Sequence, residues 1–173
     1  MDSSPAPQVT DRPPDGALAA AFARELEHAL GAGGLSPAEA AFTSHMVEDC
    51  SDDEAAQLSA ADLTTLALDF WTFAGTRAGS GPQVRIAPAD GAGGRSLDLM
   101  ALQIVQDDAP FLVDSVMGEV TEGGYVVKAM FHPVVEVSRD ASGARRNDRP
   151  LHRESMILVL FEPGRWFPAP SGC

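Results

Sequence analysis

Lysine is nearly missing from this chain. Of its 12 basic residues only Lys128 is not arginine, a skew that reads as genome composition rather than as chemistry. Cysteine is as scarce, with Cys50 and Cys173 alone, far apart and in no metal-ligand spacing. That excludes a disulfide framework and leads us to expect a reducing compartment. Aromatic residues make up 6%, so the core must be built mostly from Leu, Val, Ile, Ala, Met and Phe. No apolar run approaches the roughly 20 residues that span a bilayer. The opening Met1-Asp2-Ser3-Ser4-Pro5 has neither the basic nor the apolar region of a secretion signal. A cytoplasmic location is the expectation. No Gly-x-Gly-x-x-Gly follows a strand-like run, so no dinucleotide cradle is visible. His28, His45, His132 and His152 show no i, i+4 pairing and no Cys partner, which speaks against a metal site.

What the chain does have is acid. It holds 25 acidic residues against 12 basic ones, a net charge of −13. Such a charge repels phosphate backbones and anionic membrane surfaces, so neither nucleic acid nor membrane is an expected partner. The imbalance is local: residues 1–62 carry 12 acids and 2 bases, residues 63–173 carry 13 acids and 10 bases. A hydrophobic content of 45% over 173 residues suffices for one ordinary domain with tails.

Residues 1–16, rich in Pro, Asp and Ser, read as a disordered tail. Ala17–Leu30 has helical spacing in Leu18, Phe22 and Leu26 and stops at Gly31–Gly34. Ser36-Pro37-Ala38-Glu39 is a capping-box helix start, leading to Phe42, Met46 and Val47. The acidic run Glu48–Glu54 reads as a solvated connector. Ser59–Asp62 opens the strongest helix, whose stripe is Leu63, Leu66, Ala67, Phe70 and Phe73. Val84–Ile86 reads as a short strand, and Pro88–Gly94 as a flexible loop. Leu97–Val105 reads as a strand. Asp107-Asp108-Ala109-Pro110 then opens a helix with carboxylates at its positive end, with Leu112, Val116 and Val120 as its buried stripe. Tyr125–Ser138 is β-rich, Arg139–Gly143 a turn, and Met156–Phe161 a further strand.

The expected fold class is therefore α+β: N-terminal helices over 17–82, then a ferredoxin-like βαββαβ domain over 83–162, truncated after its third strand. Residues 163–173 read as an irregular tail, because Pro163, Pro168 and Pro170 forbid the helix that should follow. The candidate site is the strand-to-helix turn carrying Asp107, Asp108, Pro110, Phe111, Asp114 and Ser115. Exposed N–H groups at a helix start can hold a carboxylate or small anion, although capping and packing account for the same residues. A Ca²⁺ cluster at Asp107, Asp108 and Asp114 lacks the further oxygens it needs. Lys128, mid-strand, reads as a snorkelling residue. His132 reads as structural, Trp71 as a contact to a neighbouring domain, and Arg145, Arg146, Arg149 and Arg153 as surface or interdomain charge. No catalytic, cofactor-binding or metal-ligating residue is expected.

The runs DDAPFLVDSVMGEV, GYVVKAMFHPVVEVSRDASG and RESMILVLFE, in this order and spacing, resemble the N-terminal ACT-like domain of the large bacterial NAD-dependent glutamate dehydrogenases. SAADLTTLALDFWTFAGTRAGSGPQVRIAPAD resembles the helix and strand that precede it, so the likeness covers roughly residues 17–162. The resemblance implies a parent enzyme that oxidatively deaminates L-glutamate to 2-oxoglutarate and ammonium with NAD, its catalytic region lying far downstream. It implies that this part is a regulatory or assembly module and carries no NAD itself. The partners it implies are the enzyme's remaining domains, further subunits in a homo-oligomer and an amino-acid effector. A purely structural domain and a free-standing binding module are the alternatives.

Overall fold

The computed structural model describes residues 16–48, 50–148 and 150–164. The expectations for the tails, except at Gly16, Pro163 and Gly164, and for Arg149 fall outside them. Among the described residues five α-helices and a short 3-10 turn at Ala92–Gly94 precede or interrupt six strands. The first four are α1 (Ala17–Ala32), α2 (Pro37–His45), α3 (Asp52–Ala55) and α4 (Ala60–Phe73). Three of them start on the same local device. Ser36 with Glu39, Ser51 with Glu54, and Ser59 with Asp62 each form a capping box that satisfies two otherwise orphaned N–H groups.

Within the acidic run 48–54, Asp52 and Glu54 are not the solvated charges its composition suggested. Asp52 accepts from the N–H of Gly16 and of Ala19, both at 2.9 Å, and so caps α1 from 33 or more residues away. Glu54 accepts from the N–H of Met130 at 2.9 Å. Carboxylates placed at a helix N-terminus or on a free strand N–H are held by charge-assisted bonds, which is why these two side chains turn inward. The glycine loop after Pro88 is likewise tied. Strand β1 (Gln83–Asp90) runs through Pro88 to Asp90, and Asp62 then accepts from Ala92 N–H and Arg95.

The remaining elements are β2 (Ser96–Asp107), α5 (Leu112–Glu122), β3 (Val127–Phe131), β4 (Val134–Arg139), β5 (Arg145–Arg146) and β6 (His152–Phe161). The sheet order is β1-β2-β6-β4-β5, with β3 also on β6, and every pairing is antiparallel. β3 and β4 lie end to end along β6 and are broken at His132-Pro133, where proline lacks a ladder donor; Pro133 still accepts from Met156 N–H at 3.0 Å.

The α+β class is as expected: β2, α5 and β3/β4 form a split β-α-β unit with β6 inserted between its strands. To the three strands expected of that unit the sheet adds a fourth from the N-terminal side. β1 pairs with the outer edge of β2, the place that the fourth strand of a βαββαβ sheet takes, so the sheet is filled from the N-terminal side. Among the described residues only the second helix of that plan has no counterpart.

Helices cover both faces. On one, Phe22, Leu26, Leu63, Leu66 and Phe70 pack with Val105, Met156, Leu158 and Leu160. On the other, Val120 with the half-buried Val116 and Met117 of α5 meets Met100, Leu102, Ile104, Ile157, Val159 and Phe161. The segment after α4 is fastened to the β4–β5 turn, where Arg77 N–H donates to Gly143 C=O at 3.0 Å.

Gly143 stands at φ 82, and a Cβ added there would meet the Arg77 carbonyl oxygen at 2.0 Å. We therefore expect Gly143→Ala to lower the stability by about 1–3 kcal/mol or more from backbone strain and displacement. Urea unfolding checks this, and a wild-type midpoint would show that the helical segment is not fastened there.

Candidate effector and interface site

The turn between β2 and α5 is built differently from its expected form. Asp107 and Asp108 do not cap α5. Asp107 accepts from Arg77 Nη1 at 2.8 Å. Asp108 accepts from Ser155 Oγ at 2.7 Å and pairs with Arg153 at 3.3 Å, while its N–H donates to the Arg153 carbonyl. Both carboxylates turn back to β6 and its surroundings because guanidinium partners there offer charge-assisted bonds, stronger than a neutral cap. α5 starts instead behind Phe111, which sits in the left-handed region at φ 64 and makes no side-chain cap. Pro110 is exposed, and Phe111 has 77% of its surface exposed. Asp114 lies in the first turn of α5, where its charge complements the helix dipole. Ser115 Oγ donates to the Phe111 carbonyl at 2.9 Å. The six candidate residues thus divide: Asp107 and Asp108 anchor the turn, and Pro110, Phe111, Asp114 and Ser115 form the projecting head of the helix.

The anchor leads to a buried ionic cluster that the sequence reading did not find. Glu154 on β6 is fully buried. Arg139 grips it with Nε and Nη2, each at 2.7 Å, and Arg77 Nη1 donates to it at 2.8 Å. His152 Nε2 lies 3.1 Å away. Arg139 also donates to the carbonyls of Ala74 and Gly143, and Arg77 to those of Ser80 and Gly81. Burial alone would raise the Glu154 pKa, but the donors of Arg139, His152 and Arg77 and the Arg139 charge bring it down to about 2. Asp107, His152 and Glu154 offer ligand atoms within 4.8 Å of one another. Arg77 Nη1 already bridges two of them at 2.8 Å each, so the geometry is that of an ion-pair cluster. Its trace in the sequence is Arg77, alone among small residues after a helix, and Glu154, directly ahead of an apolar strand.

The other singled-out residues are engaged locally. Arg145 stacks 3.2 Å over the Trp71 ring and donates to its carbonyl. Burial and the neighbouring Arg139 charge push the Arg145 pKa down to about 10. Arg146 pairs with Asp140 at 2.6 Å and Lys128 with Glu162 at 2.6 Å. His132 Nε2 lies 3.1 Å from Ser155 Oγ. Burial, aided by Glu54 and Asp52, pushes the Cys50 thiol up to about 11, away from a reactive thiolate.

A split β-α-β unit completed by an antiparallel strand on its free edge defines an ACT-type α+β module. The chain belongs to the glutamate dehydrogenase ACT1 domain family, whose model matches residues 42–163, more than half of its length. No curated protein and no solved structure matches it. Among the described residues, no helix is long and apolar enough to cross a membrane.

The Glu154 cluster has a pH signature. Its folded pKa of about 2 lies below the ordinary 4.5, so its contribution is complete above that ordinary value and fades as pH falls towards the folded one. Glu154→Gln should cost about 3 kcal/mol or more at neutral pH and flatten the acid limb of the stability curve. Thermal melts across that range check it; parallel curves for both proteins would exclude Glu154 as the source.

Proposed function

We propose that this domain is the non-catalytic regulatory and assembly module of an NAD-dependent glutamate dehydrogenase of bacterial type. The enzyme's catalytic region, outside this domain, carries NAD and oxidises L-glutamate to 2-oxoglutarate and ammonium in cytoplasmic glutamate catabolism. The observation that carries the reading is the ACT1 family match across 42–163, together with a sheet of the corresponding antiparallel plan. The local chemistry supports it: the Cys50 thiol is held protonated, and Lys128 and Glu154 are bound in ion pairs. The domain's partners are the other domains of the enzyme and further copies of it in a homo-oligomer. Its effector is a small amino acid at the 108–115 turn.

One observation favours a ligand-free structural role as the second reading. The carboxylates of Asp107 and Asp108 are already taken up by Arg77, Ser155 and Arg153, which leaves the helix head alone to meet a ligand.

Deleting residues 1–162 from the parent enzyme should leave NAD-linked glutamate oxidation in the remaining polypeptide while abolishing its native oligomer or its amino-acid response. Sedimentation and NADH absorbance read the two. Calorimetry of the domain against a panel of amino acids separates the readings: heat with one amino acid supports the sensor, and silence supports the structural role. Glutamate turnover by the domain alone would overturn both.

A further inference from the structure

We propose that the uncovered strip beside α5, over the β1–β2 half of the sheet, is the seat of a basic amphipathic α-helix donated by another domain of the assembled enzyme. This rests on the assembly reading above and names the contact through which it acts.

The first ground is topological. In a βαββαβ unit two helices lie side by side on one face, each beneath its own crossover. Here α5 fills the first place. The strand at the far edge, β1, is reached from the N-terminal side, without a crossover, and so no helix among the described residues fills the second place. The second ground is the surface left there. Val84 pairs with Ile104 and Ile86 with Leu102, so these four side chains share the α5 face of the sheet. Val84 and Ile86 are 54% and 39% exposed. Next to Leu102 and Ile104, an open apolar depression between β2 and the helix is lined by those two residues with Ser115, Val116, Glu119 and Val120. Large apolar side chains held out on one strand beside such a depression mark a contact surface.

The shape and charge of the strip select the occupant. Strand addition at β1 is discouraged, because Pro88 removes a donor and the ladder shifts register between Pro88 and Asp90. A helix laid on the face needs no ladder and packs through its side chains alone. On the α5 side, Ser115 and Glu119, four residues apart, line one flank, and the exposed Phe111 ring stands just ahead of the helix. Glu119 lies on that flank and Glu122, seven residues after Ser115, falls on the same side of α5, which carries no basic residue. A helix whose apolar stripe is bordered by Lys or Arg complements that rim. A second copy of this chain, itself at −13, is repelled by it.

The test uses the whole chain and two fluorescent probes of about four helical turns, an alternating-face Leu/Lys peptide and its Leu/Glu counterpart. Fluorescence anisotropy should show the Leu/Lys peptide binding about tenfold or more tightly than the Leu/Glu peptide. Val84→Ser with Ile86→Ser should weaken it about tenfold, as should Glu119→Lys, whereas Leu18→Ser, at an exposed apolar site on α1, should not. These are exposed positions, and circular dichroism melts verify that the variants fold. Equal affinity for the two peptides, no binding, or equal damage from Leu18→Ser overturns the proposal. So does self-association of the chain that Val84→Ser with Ile86→Ser abolishes, which would assign the strip to a second copy. In the full enzyme, amide exchange at 84–86 should be slower than in the isolated chain. If deleting the domain disrupts assembly while Val84→Ser with Ile86→Ser does not, the docking proposal fails and the assembly reading stands.

Discussion

From Glu154 to Phe161, strand β6 has every residue buried. A strand points its side chains alternately to two sides, so a run of this kind demands a cover on each. The other elements meet that demand. The helices α1, α2 and α4 close one side over Met156, Leu158 and Leu160, and α5 lies on the other over Ile157, Val159 and Phe161. β6 also supplies the ladder for β2, β3 and β4. Because it is central in both directions, along the sheet and through it, the helical segment and the sheet have a common interior.

Glu154 begins that run and is its one charged member. A carboxylate without water must be matched by donors, and the donors here come from two other stretches, Arg77 beyond α4 and Arg139 at the end of β4, and from His152 on β6 itself. Each guanidinium then spends its remaining N–H groups on carbonyls of the loops around it. The cluster thereby fixes where the helical segment enters the sheet. Through Arg77 it also fixes Asp107, the first residue of the candidate turn. The same charge pairing that stabilises the interior withdraws the turn's first half from ligand chemistry and leaves the head of α5, with Phe111, projecting.

Much of this was legible in the sequence where the signals are local. The Ser-Pro-Ala-Glu start of α2, the apolar stripe of α4 and the continuous apolar run of β6 all follow from spacing within a few residues. The family resemblance rested on such runs, and the match over 42–163 agrees with it. The failures share one cause. Asp52 caps a helix 33 or more residues away. Asp108 leaves its own helix for Ser155, 47 residues on. Arg77 finds Glu154 at a separation of 77. A carboxylate near a helix start looks the same in sequence whether it serves that helix or a remote donor. The place of β1 was hidden for a related reason: a strand's own residues do not say which edge it joins, and a missing closing strand was inferred from the C-terminal side alone.

The central position of β6 has a bearing on how the polypeptide emerges from the ribosome. β1 and β2 are near neighbours and can pair as soon as both are out. The inner edge of β2, β3 and the edge of β4 that faces β6 have no ladder until residues 152–161 arrive. For the interval of synthesis between Asp107 and His152, apolar strand edges stand open in the nascent chain, the condition under which long-range β pairing is slow and prone to misassembly. Translation speed and chaperone access across this one stretch would then govern how much of the domain matures.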